Sequence, residues 1–161
     1  MKNLILVVVL LLIISSLTFG QSAQATVTAK VRLALSVQKT QDLDLGFVIK
    51  GTTKTVLSSD AAAAAFTVTG DVSAPVTVTV GFPVNLISGS NNLTFTGQIP
   101  MYSTSNLQSG ASSTGFTLTG GTATTDGTSG NLYLWMGGGV SPLANQATGD
   151  YTGTINVSVI Y

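Results

Sequence analysis

Two stretches of two-residue alternation, one near each end, constrain this chain more than anything else in it. From Tyr151 the odd positions read Tyr151, Gly153, Ile155, Val157, Val159 and Tyr161, with Thr152, Thr154, Asn156, Ser158 and Ile160 between them. From Thr26, the apolar Val27, Ala29, Val31, Leu33, Leu35 and Val37 alternate with Thr26, Thr28, Lys30, Arg32, Ala34 and Ser36. A period of two turns one face to a core and the other to water, as in a half-buried β-strand. A strand also needs neighbours for its backbone N–H and C=O groups. Tyr151 to Tyr161 is therefore read as the closing strand of a sheet built from the chain upstream. The N-terminal stretch has two readings. It is a first strand that bends between the sheets of a sandwich, or its early part, Thr26 to Arg32, is a donor strand that adds to another subunit. Burial of each larger side chain would contribute about 1.5–3 kcal/mol in either case.

The residues before Thr26 form an address. Lys2 is followed by the unbroken apolar run Leu4 to Ile14 and then by Ala23-Gln24-Ala25, an A-x-A cleavage pattern. Residues 1–25 are read as a secretory signal peptide, and 26–161 as one domain. The run is short against the roughly 20 apolar residues that cross a bilayer. No second run follows, so no integral membrane segment is expected in the mature chain. The expected location is the periplasm, the cell surface or an extracellular filament.

The side-chain inventory bounds the chemistry. There is no His, no Cys and no Glu, the types on which most acid–base and metal-assisted schemes lean. An enzyme is not expected, nor a cofactor. Six cations balance six carboxylates over the whole chain, which leaves no basic footprint for nucleic acid. Asp42 and Asp44 share a face in extended chain, but calcium takes about six to eight oxygens. They are read as solvated or backbone-bonded. Gly137-Gly138-Gly139 lacks the Lys-Ser/Thr of a phosphate loop and is read as a flexible turn.

Between the two ends, β-branched runs alternate with Gly, Asn and Pro. Phe47–Lys50 and Thr55–Leu57 suggest a hairpin about Gly51. Ala61–Ala65 reads as a turn into Phe66–Thr69, and Val76–Val80 alternates cleanly. Leu93–Thr96 is a strand, and Ile99–Tyr102 is one at an edge, because Pro100 lacks an N–H. Phe116–Thr119 is a short strand, and Gly120–Gly130 is a Gly/Thr-rich connection with a turn at Asp126-Gly127. Leu132, Leu134 and Met136 share one face of a strand, with Tyr133 and Trp135 on the other. About eight to ten short strands and no helix point to an all-β, immunoglobulin-like Greek-key β-sandwich.

A set of motifs follows in a fixed order. Ala25-Thr26-Val27-Thr28-Ala29 opens it, then Gln38 to Gly46, Phe66 to Gly70, Leu132 to Gly138, Ala144 to Gly149, and Tyr151-Thr152-Gly153-Thr154. Together they resemble the secreted bacterial family called domain of unknown function 4402, across essentially the whole mature chain. Members more often carry Phe where Leu45 stands. The family looks related to spore coat protein U and to common-pilus fimbrillins. The resemblance implies an immunoglobulin-like fold and surface or fimbrial assembly. Donor-strand complementation, helped by a periplasmic chaperone, is the route it brings into view, and copies of the chain or related subunits are the expected partners.

The function expected is thus a fimbrillin-like structural subunit. Val27, Ala29, Val31, Leu33 and Leu35 are its candidate donor or first strand, and Tyr151, Ile155, Val157, Val159 and Tyr161 its closing strand. The alternative is a self-complete monomeric adhesin or carbohydrate-binding module, with Tyr133 and Trp135 stacking on sugars. A lone Trp in an apolar strand is more often a packing residue.

Overall fold

The computed structural model describes residues 21–161. Residues 1–20 of the leader expected at 1–25 lie outside them. Two units divide between Val31 and Arg32. Residues 21–31 hold no helix or strand, and every one of them is exposed. The second unit, Arg32–Tyr161, carries the fold.

That unit is all-β, an immunoglobulin-like β-sandwich of antiparallel sheets. The first sheet is ordered β1 (Ser36–Gln41), β3 (Ala64–Thr69), β10 (Asn131–Met136), β7 (Met101–Ser103). The second is ordered β12 (Asn156–Ile160), β4 (Pro75–Gly81), β9 (Gly120–Thr124), β8 (Phe116–Thr117). These two enclose the larger core. Phe66 and Val68 from β3, and Leu132, Leu134 and Met136 from β10, meet Val76, Val78 and Val80 from β4. The register places Leu132 opposite Val68 and Leu134 opposite Phe66, so the alternation of both strands turns one apolar row inward.

A third sheet is ordered β2 (Lys54–Val56), β11 (Gly138–Val140), β6 (Asn91–Gly97), β5 (Asn85–Ser88). Its buried residues Leu86, Leu93, Phe95 and Val140 form a second, smaller core. What packs on this core is not another sheet. It is Leu43, Leu45, Val48, Phe82 and Tyr151, all only half buried.

Several sequence expectations change here. The first strand starts at Ser36, not at Thr26, and Val27 to Leu35 precede it without pairing. Alternation states only that a segment can be half buried, and here only Arg32 and Leu35 are, with Leu35 packed on the larger core. Phe47–Lys50 is not a strand. The chain turns at Gly51, whose N–H donates to Pro142 O, and β2 pairs with β11 in place of a hairpin. The Gly triplet is no flexible turn, because Gly138 and Gly139 lie within a buried strand. A Cβ on Gly138 would fall on the Phe95 ring, so close packing selects glycine there. Gly120–Thr124, expected as connection, is the strand β9. Asn85–Ser88, which Pro and Gly flank, is the strand β5.

Candidate functional site

The fold leaves one side open. β1 and β12 are the outer strands of the first and second sheets, and neither has a ladder partner on its far side. β12 turns Val157 and Val159 toward the core, yet both are only half buried. Between the chain after β1 and the chain before β12 runs a cleft, formed by two adjoining cavities of about 470 Å³ and about 610 Å³. Asp44, Leu45, Gly46, Leu86 and Tyr151 border both.

One wall is the irregular segment from Asp42 to Lys50. Asp44 Oδ1 accepts the Gly46 N–H at 2.7 Å, and Gly46 has a φ of 61°. That bend presents Phe47 wholly to solvent, at 103% relative exposure. Ile49 and Leu143 add exposed apolar surface, where Gly51 joins Pro142. The other wall is the chain from Gln146 to Ile155. The Tyr151 hydroxyl donates to Ala147 O at 2.9 Å and accepts from Gln146 Nε2 at 2.8 Å. This hydroxyl-to-upstream-backbone bond has the form of the tyrosine corner of immunoglobulin-like domains. Thr152 then exchanges backbone bonds with Ile87 on β5, at 2.8 and 3.0 Å, before β12 joins β4. The floor is core, with Ala64, Phe66, Leu86 and Phe95 in the first cavity and Leu86, Leu93 and Val140 in the second.

A cleft with an apolar floor between two irregular walls has the chemistry to hold an extended polypeptide. Its charges sit on the walls. Lys39 pairs with Asp42 at 2.7 Å, the one salt bridge among the described residues. Asp44 and Asp150 carry no ion pair there. Asp42 and Asp44 are thus engaged locally, by Lys39 Nζ and the Gly46 N–H. Among the described residues no group of three or more His, Cys, Asp or Glu could hold a metal.

The sequence-predicted residues divide. Tyr151 and Ile155 line the cleft, and Val157 and Val159 pack on the larger core below the free edge of β12. Tyr161 lies apart from the cleft lining. Its hydroxyl donates to Leu33 O at 2.6 Å and accepts from the Asp71 N–H at 2.9 Å, and Arg32 lies 4.6 Å over its ring. Asp71 Oδ1 accepts the Leu33 N–H at 2.8 Å. The clamp holds Arg32 and Leu33, and Leu35 packs on the core. Val27, Ala29 and Val31 stand free of any strand. Trp135 is 7% exposed, with no open ring face for stacking on a sugar, and Tyr133 is half buried beside it, 6.4 Å between centroids.

The wall from Leu43 to Ile49 was missed as a site. Its signal is the alternation of Leu43, Leu45, Phe47 and Ile49, apolar side chains in a stretch with no strand partner.

A family model described as a domain of unknown function (DUF4402) matches residues 12–161. The chain belongs to this family. No curated protein matches it. Within this DUF4402 chain, among the described residues, no helix is long and apolar enough to cross a membrane.

Proposed function

We propose that this DUF4402 protein is a secreted, fimbrillin-like structural subunit of a surface assembly, and that it polymerises by accepting a β-strand from another subunit. The observation that carries this reading is the cleft between Asp42–Lys50 and Gln146–Ile155, where core side chains form the floor, together with β1 and β12, each of which ends its sheet with one side unpaired. An inserted strand would cover Leu86, Phe95, Tyr151 and Ile155. It would also pair backbone groups that edges otherwise leave to water or to aggregation. Copies of the chain or related subunits are the partners in this reading, with a periplasmic chaperone guarding the cleft before assembly.

The test compares the mature chain starting at Thr26 with one lacking Thr26 to Val31, by size-exclusion chromatography and electron microscopy. Filaments or ladders from the first and folded monomers from the second are expected. A first chain that remains monomeric at every concentration and salt refutes polymerisation by strand addition.

A further inference from the structure

We infer that the occupant of the cleft is the segment Thr26–Val31 of a second copy, and that Lys30 of that segment is read by Asp44 and Asp150 on the two walls. The inference rests on the strand-addition reading and adds what selects and registers the strand. Three observations support it.

The first is that the segment is available. Val27 and Val31 are 93% and 94% exposed, with no strand or helix around them. In extended chain Val27, Ala29 and Val31 fall on one face, and Thr26, Thr28 and Lys30 on the other. The second is where the free chain stops. The Tyr161 hydroxyl and the Asp71 carboxylate bind the backbone of Leu33, and the Arg32 guanidinium lies over the Tyr161 ring. Arg32 is therefore occupied within its own domain, and Lys30 is the cation that the free segment carries.

The third is charge on the acceptor. Asp44 stands on one wall and Asp150 on the other, and both line the second cavity together with Lys50, so carboxylates outnumber cations there by two to one. Neither has a cation within salt-bridge distance among the described residues. A strand that sends Val27, Ala29 and Val31 to the apolar floor turns Lys30 outward, to the level of the walls. Opposite charges brought together at the surface favour a register, and like charges oppose it. A one-residue slip would bring Lys30 onto the apolar floor, so charge and burial select the same register.

The test is assembly of the full mature chain, followed by light scattering at low and at high salt. Lys30→Glu should slow assembly about fivefold at low ionic strength, as an attractive surface ion pair turns repulsive. Asp150→Lys should slow it similarly, and Lys30→Glu combined with Asp150→Lys should recover most of the rate. All variants should converge near 1 M salt, where the screening length falls to about 3 Å. Asp44→Asn, which retains an oxygen acceptor for the Gly46 N–H, should give a smaller slowing with the fold intact by circular dichroism. If the wild type assembles and the single variants match it at low salt, or the double variant shows no recovery, the charge reading is overturned and strand addition stands. A wild-type chain that never assembles overturns both.

Discussion

Replacing Tyr161 by Phe isolates the clamp that fastens the start of the domain. The ring remains, and with it the cation–π contact to Arg32. The hydroxyl is lost, and so are its bonds to Leu33 O and from the Asp71 N–H, at 2.6 and 2.9 Å. Each net hydrogen bond is worth about 0.5–1.5 kcal/mol. Both lie at an exposed site, where water can replace the hydroxyl, so the lower half of the range applies. Tyr161→Phe should therefore cost about 1 kcal/mol. Tyr161→Ala, which also removes an exposed cation–π contact of about 0.5–1 kcal/mol and the ring packing, should cost about 2 kcal/mol. Urea unfolding of the mature chain gives these values from the midpoint at constant slope. Amide hydrogen exchange supplies the local readout, since the Asp71 N–H loses its acceptor directly. Its protection should fall in Tyr161→Phe, while that of Val68 in the core should fall only by the global change. If Tyr161→Phe unfolds at the wild-type midpoint and Asp71 exchanges as before, the clamp does not hold the chain in solution. Arg32 and Leu33 would then join the free segment.

Three further outcomes are expected. Ser58 is buried, with its hydroxyl donating to Ile99 O at 2.8 Å and accepting the Gly137 N–H at 2.9 Å. Ser58→Ala strands that buried N–H and should cost about 2–3 kcal/mol in urea unfolding, whereas a loss below about 0.5 kcal/mol would show that the chain relaxes or water enters. The Asp126 carboxylate is held below its usual value of 3.8, chiefly by the Ser129 N–H, then by the Thr128 N–H and the Ser129 hydroxyl. Its stabilisation is complete above the usual value and lost as pH falls through the depressed folded value. The stability gap between wild type and Asp126→Asn should thus be present at neutral pH and close in strong acid, and a gap constant with pH would refute the assignment. Trp135 fluorescence should be blue-shifted, resist iodide quenching and ignore added oligosaccharides. A sugar-dependent shift would favour an adhesin.

Strands whose two faces differ were legible in the amino-acid order. Val76–Val80 and Leu132–Met136 alternate, and the structure turns Val76, Val78, Val80, Leu132, Leu134 and Met136 inward as their period requires. The amino-acid order also predicts an edge strand at Ile99–Tyr102, and β7 does end the first sheet, although it spans Met101–Ser103 with Ile99 and Pro100 before it. Tyr151 and Ile155 were marked by the closing alternation, although β12 itself pairs only over Asn156–Ile160.

Which alternating segments find a neighbour depends on the packed chain. Thr26–Val37 has the same period as β4, yet Val27, Ala29 and Val31 belong to no strand and are exposed. Alternation is a property of one chain, and pairing is a property of two. Gly138 and Gly120 were invisible as strand residues, because their role comes from backbone and rings brought close from distant parts of the chain, the Phe95 ring against Gly138 and the Val78 carbonyl against Gly120. The cleft is legible only in three dimensions for the same reason. It exists because the face of the third sheet meets half-buried loops instead of another sheet, and no local pattern records which face the rest of the chain covers.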